Sequence, residues 1–191
     1  MDHIKDKIID KIIDLIINIV GVMIGGLLAY ILAKWQMKKQ NENKEDEEKR
    51  ILKLKLQRCF IEFEYNQKMI EQLWNTMRDT GVYPKDEQWE YYLSINNSLS
   101  FLHYEDLVRT GLNNKLPEDI DNKIFDIYSK TIDIYNLTTQ SYRETKSLKS
   151  IPNPNKNIEK PALDLVNYIS RSNEIRIMNM KAIKDYIGTH S

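Results

Sequence analysis

The most concentrated apolar run in the chain is Leu15 to Ala33, nineteen residues in which Asn18 is the one strongly polar member, bounded by Asp14 and Lys34. As a helix at about 1.5 Å per residue it would be about 28 Å long, close to the hydrocarbon thickness of a bilayer. Eleven of the nineteen are Leu, Ile or Val. Each contributes roughly −0.3 to −0.6 kcal/mol to insertion, which together outweigh one Asn near an end. The core helix of a soluble protein carries a polar stripe and a shorter apolar run, about 10–14 residues. A cleaved leader would be shorter as well and would end in an A-x-A site, which does not follow here. The pattern therefore predicts one transmembrane helix over 15–33. Lys34, Trp35, Lys38 and Lys39 follow as anchors at the membrane interface, cations and an aromatic at headgroup level.

Outside that run the apolar positions become periodic. Residues 1–14 read as a short amphipathic N-terminus, with Ile4, Ile8, Ile9, Ile12 and Ile13 on one face and Lys7, Asp10, Lys11 and Asp14 opposite. Residues 34–55 are dense in Glu and Lys without Gly or Pro, and predict a helical stalk leaving the membrane. A heptad follows, with Leu56, Phe63, Ile70 and Met77 in one set and Leu52, Cys59, Asn66 and Leu73 in the other. Phe60 and Trp74 widen that stripe, which favours packing within the chain over an intermolecular coiled coil. The helix is expected to stop near Thr80-Gly81, before Pro84. Further helices are expected over 87–102, with Trp89, Leu93 and Leu99 in phase, and over 104–110, ending at Gly111. Leu116-Pro117-Glu118-Asp119 starts another, running to about Lys146. Its buried stripe is read as Ile120, Ile124, Ile127, Tyr128, Thr131, Tyr135, Thr138 and Tyr142. After a Pro- and Asn-rich loop at 150–160, Pro161 opens a last helix with Leu165, Val166, Ile169, Ile177, Met180 and Ile183 inward. The expected fold is all-α, an N-terminal transmembrane helix continuing into an antiparallel helical bundle over 56–191.

Charge sets an expected orientation. Six Lys or Arg lie within 34–50 and three within the N-terminal flank, which places the N-terminus outside and the bundle in the cytoplasm, at a cell (plasma) membrane. One cysteine, Cys59, offers no disulfide framework. Formal net charge is zero, so nucleic acid is not indicated as a partner.

The constellation with the most chemistry lies in the membrane segment. Gly21 and Gly25 form GxxxG, and Ala29 and Ala33 continue the four-residue spacing. Small residues at that spacing let two helix backbones approach closely. Asp10, Asp14, Asn18, Gly21, Gly25 and Ala29 fall within roughly 100° of one another on a helix. This face fits a seam in a homo-oligomer, with Asn18 hydrogen-bonded across it. An idle ridge, or a pore lined by Asp14 and Asn18, are the alternatives. Tyr128, Tyr135 and Tyr142, seven apart, read as a core stripe whose hydroxyls reach the bundle edge. Arg143, Lys146, Lys149, Lys156 and Lys160 read as a solvated basic loop region.

Enzymatic chemistry finds no support. His3, His103 and His190 are far apart, and no HxxxH, HExxH, CxxC or acid cluster suggests a metal. No phosphate-cradling glycine loop is present, so no cofactor is expected. An enzyme with an unrecognised site is the third reading, and a deep pocket in the bundle gathering ionisable side chains such as His103, Glu105 and Arg109 would be its sign.

In the order of these features the chain resembles a loose class of prokaryotic single-pass membrane proteins with a cytosolic helical bundle. The likeness rests on Lys34-Trp35, the charged stalk, Glu62-Phe63-Glu64-Tyr65-Asn66, and Ile127-Tyr128 through Tyr135-Asn136. Some members of such classes are membrane effectors in antiphage defence, including ones with a HEPN-like four-helix bundle. The HEPN nuclease motif is Arg, four residues, His. Here Ser98 and Asp185 stand where the Arg would precede His103 and His190, so the resemblance implies no nuclease. The expected function is a non-enzymatic, membrane-anchored, self-associating protein that presents its bundle to a cytosolic protein partner. The alternative is a membrane-disrupting or pore-forming effector.

Overall fold

The computed structural model describes residues 2–80, 84–150 and 157–189. Those residues form an all-α protein: α1 (Asp2–Thr80), α2 (Asp86–Asn97), α3 (Leu102–Arg109), α4 (Glu118–Ser150) and α5 (Lys160–Thr189), with a 3-10 turn at Leu112–Lys115. The expected stop at Gly81 and most of the 150–160 loop lie outside the described residues. Two compact units divide the chain, Met1–Arg50 and Ile51–Ser191.

The first unit is the N-terminal part of α1. Nothing in its sequence interrupts a helix, since it holds no proline and its glycines sit in an apolar run. Beyond the apolar segment, exposed pairs one turn apart support it: Lys38–Glu42 at 3.8 Å, Lys49–Asp46 at 3.9 Å and Arg50–Glu47 at 2.7 Å. Pairs of this kind contribute a few tenths of a kcal/mol each.

The second unit is a four-helix bundle whose second member is broken into α2 and α3. Side-chain bonds give the directions. Between α1 and α2–α3 they join Gln72 to Tyr91 (2.8 Å), Asn66 to Ser100 (2.6 Å) and Lys55 to Asp106 (2.8 Å). Between α2 and α4 they join Asp86 to Lys149 (2.6 Å) and Asn96 to the Tyr135 carbonyl (3.0 Å). Between α4 and α5 they join Ser141 to the Pro161 carbonyl (3.0 Å), Asp133 to Tyr168 (2.6 Å) and Asp126 to Asn179 (2.7 Å). In each series one number rises as the other falls, so these neighbours are antiparallel.

Helix ends follow local chemistry. Gly111 takes the left-handed conformation (φ 66°) and closes α3, with its N–H donated to the Val108 carbonyl at 2.9 Å. The Pro117 carbonyl accepts the first bonds of α4, from the amides of Ile120 and Asp121, and Glu118, Asp119 and Asp121 sit at its positive end. Asn157 accepts the Lys160 amide at 3.1 Å where α5 begins.

The heptad on α1 packs inside the chain. Leu56, Cys59, Phe63, Asn66, Ile70, Leu73 and Met77 are all buried. The other stripes differ from expectation. On α4 the buried line runs through Ile134, Ser141 and Thr145, whereas Tyr128, Tyr135 and Tyr142 are half-buried beside it. These tyrosines pack on the broken second member: Tyr128 stacks on Tyr104 at 3.8 Å, Tyr135 meets Phe101 at 6.2 Å and Tyr142 meets Trp89 at 6.1 Å. On α5 the buried line is Leu165, Ile169, Ser172, Arg176, Asn179 and Ile183, and Ile177 is exposed. α2 ends at Asn97, short of the expected Leu102, because Asn66 binds the backbone of Ser100 on both sides and holds it out of a helix.

Candidate functional site

Three places merit a functional reading. The first is the apolar segment of α1, the one helix among the described residues long and apolar enough to cross a membrane. None of its apolar window is buried in the chain. Asn18, Gly21, Gly25, Ala29 and Ala33 are exposed, and a Cβ added at Gly21 or Gly25 would meet nothing within 4 Å. Val22 and Met23 are 76% and 69% exposed, and a continuous apolar surface of this extent marks a membrane or an interface. The side chains of Asp10 and Asp14 lie outside the described residues. At the C-terminal edge Lys34, Trp35, Lys38 and Lys39 are all exposed, and the Lys39 ammonium sits 5.2 Å from the Trp35 ring centroid.

The second place is a polar layer midway along the bundle. Two apolar clusters fill the bundle. One gathers Ile70, Leu73, Met77, Trp89, Tyr92, Ile134, Leu165 and Ile169, and the other Leu56, Cys59, Phe63, Leu107, Ile120, Ile124 and Ile183. Between them lie buried Asn66 and Gln67 of α1, Thr131 of α4, and Ser172, Arg176 and Asn179 of α5, at the level where α2 gives way to α3. Gln67 donates to Glu71 and Asn173, both at 2.7 Å, and Arg176 Nη2 donates to Asn173 at 3.2 Å. Arg176 is 1% exposed and its Nε makes no hydrogen bond. Burial lowers its pKa to about 10, against the pull of Glu71 and Tyr168.

Glu62 explains how α3 is held. Phe101, at the N-cap of α3, has no side-chain acceptor of its own. The Glu62 carboxylate supplies one from α1, with Oε2 accepting the His103 N–H at 2.6 Å, while Oε1 is buried without a hydrogen bond. Glu62 and Asn66 are one turn apart, so one edge of α1 fixes both sides of the break. Burial raises the Glu62 pKa, and the bonds at His103 oppose it only in part. An acid raised in the folded state stabilises the fold fully below its unfolded pKa, near 4.5, and loses that contribution as pH rises through the folded value. Glu62→Gln is therefore expected to flatten the stability profile from that pH upward and to raise neutral-pH stability, read from denaturant midpoints across pH. A wild-type slope retained in the variant would assign the titration elsewhere.

The third place is a groove of about 340 Å³ between α1 and α3, lined by Arg58, Leu102, His103, Glu105, Asp106 and Arg109. It brings together His103, Glu105 and Arg109 with Arg58 of α1, but as an open surface groove rather than a deep pocket in the bundle. Asp106 is held by Lys55 at 2.8 Å and Arg109 at 3.4 Å, which keep its carboxyl below the usual range. The Tyr128 hydroxyl lies 3.5 Å from Glu105. Cys59, beneath, is fully buried and its thiol is pushed up to about 12 by burial and then by Glu62, so it makes a poor nucleophile. Around the basic loop region, Lys149 is paired with Asp86 and Lys146 lies over the Tyr142 ring at 5.9 Å, while Lys156 is outside the described residues.

Comparison with protein-family models, with curated proteins and with solved structures finds no match for this chain. Fold and site together define an all-α protein with one candidate membrane-spanning helix among the described residues.

Proposed function

We propose that the protein is a single-pass, membrane-anchored helical bundle that self-associates through its membrane segment and presents the bundle to a cytosolic protein partner, with its N-terminus outside. The observation that carries this is the apolar segment itself. It is uncovered along its whole length and bears Asn18, Gly21, Gly25 and Ala29 on one side. Lipid satisfies the Leu, Ile and Val faces, and a second copy satisfies the small face by close backbone contact. Six Lys or Arg after the segment, against three before it, support the orientation.

Gly21→Leu combined with Gly25→Leu is expected to abolish most of the signal in a membrane dimerisation reporter. Asn18→Leu alone should weaken association by about 1–2 kcal/mol, the range for interhelical amide bonds in lipid. An unchanged signal in the double variant would remove the seam. Reporters fused at either end test the orientation, and activity of the C-terminal fusion outside the cell would overturn it.

A second reading has one supporting observation, the exposed Asn18 amide inside an apolar run. On that reading the associated segments open a path and the protein is a membrane-disrupting effector. Induced expression should then depolarise cells, and Asn18→Leu should weaken the effect. Full polarisation on expression counts against it.

A further inference from the structure

The exit of the apolar segment has a charge order that its role as an anchor does not require. Lys34, Lys38 and Lys39 come first, with no acid before Asn41. Glu42, Glu45, Asp46, Glu47 and Glu48 come next, against Lys44, Lys49 and Arg50. At about 1.5 Å per residue the three lysines span about 7.5 Å of helix, whereas Glu45 to Glu48 begin about 16 Å beyond Lys34. The screening length at physiological salt is about 8 Å. A negative surface at the level of Lys34 thus attracts the lysines while the acidic block lies largely outside its field.

Two of the lysines, Lys34 and Lys38, also share a side. Gly21 and Tyr30, Gly25 and Lys34, and Ala29 and Lys38 are each nine residues apart, which at 100° per residue is half a turn. Tyr30, Lys34 and Lys38 therefore stand opposite the small-residue ridge, facing away from any copy packed on it. They line one open face together with Trp35. The internal partners of these cations are weak. Lys38 lies 3.8 Å from Glu42 with both side chains mostly exposed, and Lys39 rests on the Trp35 ring.

We propose that Lys34, Lys38 and Lys39, with Tyr30 and Trp35, bind the headgroups of anionic phospholipids, and that the acidic block keeps the following stretch of helix off that same surface. The inference rests on the reading of 15–33 as a membrane span and names the lipid class that the span selects. The apolar run, the aromatics at its edge and the placement of Lys34 and Lys38 on the side away from the ridge commit the face to lipid, with Lys39 adding charge at the same depth against the Trp35 ring.

The full chain is reconstituted into vesicles of phosphatidylcholine and into mixed phosphatidylcholine–phosphatidylglycerol vesicles. Flotation with both tests the span. Spin-labelled phosphatidylglycerol and phosphatidylcholine then report which lipid is retained at the protein. A preference of at least about fivefold for phosphatidylglycerol is expected, the factor one lysine supplies near an anionic surface. It should fall with added salt. It should be lost in the Lys34→Gln, Lys38→Gln, Lys39→Gln triple variant and restored when the same positions carry Arg. Flotation with equal retention of both lipids, or an undiminished preference in the glutamine variant, overturns the proposal while leaving the span intact. Flotation with neither vesicle overturns both.

Discussion

Replacing Trp89 with alanine is expected to destabilise the bundle by about 3–5 kcal/mol, the usual cost of emptying a large aromatic site. Trp89 is fully buried, edge-on to Tyr92 at 5.5 Å and tilted against Tyr142 at 6.1 Å. Its indole N–H has no hydrogen-bond partner, so the loss is one of packing. α2 has only twelve residues and is too short to be helical alone. Its place depends on this anchor, with Asp86–Lys149 and Asn96–Tyr135 as exposed and buried supplements. Trp89→Phe keeps much of the ring contact and should lose far less. The measurement is the denaturant midpoint with the slope held constant. A loss below about 1 kcal/mol for Trp89→Ala would mean that α2 does not pack where it is placed.

Arg176→Met is expected to act in the other direction and stabilise the fold, by up to about 1–4 kcal/mol, the range for replacing buried ion pairs by apolar residues of similar volume. Burial moves Arg176 down to about 10, the direction in which a poorly solvated cation shifts. Its bond to Asn173 is long, at 3.2 Å, and Asn173 keeps its shorter bond from Gln67 at 2.7 Å when the arginine is gone. Glu71, the opposing charge that resists this lowering, is exposed and still accepts from Gln67 at 2.7 Å when the arginine is gone. Thermal and denaturant unfolding of the full chain would read the gain. A loss instead would show that the guanidinium is held in the folded protein by groups stronger than these.

Parts of this fold were legible in advance, and the reason lies in which residues carry the periodicity. The α1 heptad could be read because its seam is almost wholly apolar, Leu56 through Met77, with Asn66 the exception. α5 could be read only at its ends. Leu165, Ile169 and Ile183 were found, but Ser172, Arg176 and Asn179 fill the middle of the buried line with polar atoms, and Ile177 and Met180 drew the apparent stripe off axis. On α4 the tyrosines outweighed Ile134, Ser141 and Thr145, although an aromatic ring can bury its body from a flanking position. Two helices were legible here, but the break between α2 and α3 begins after Asn97 rather than at Leu102, and no Gly or Pro marks it. It is imposed from another helix by Glu62 and Asn66, whose partners at His103 and Ser100 lie 41 and 34 residues on in the chain. Lys34, Trp35, Lys38 and Lys39 are exposed at the end of the apolar run, a position that charge and aromaticity mark in the sequence without any tertiary contact.

The polar middle layer has a consequence for sliding. Apolar helices in a bundle can slip by a heptad and still match leucine to isoleucine, at little cost in burial. Here a shift of α5 by seven residues would carry Ile183 to the level of Arg176, and move Arg176 and Asn179 toward one of the two apolar clusters. Asn179 would lose Asp126 and the Ser141–Pro161 bond would break at the far end. The layer thus acts as a ruler, fixing where along their length these helices may stop.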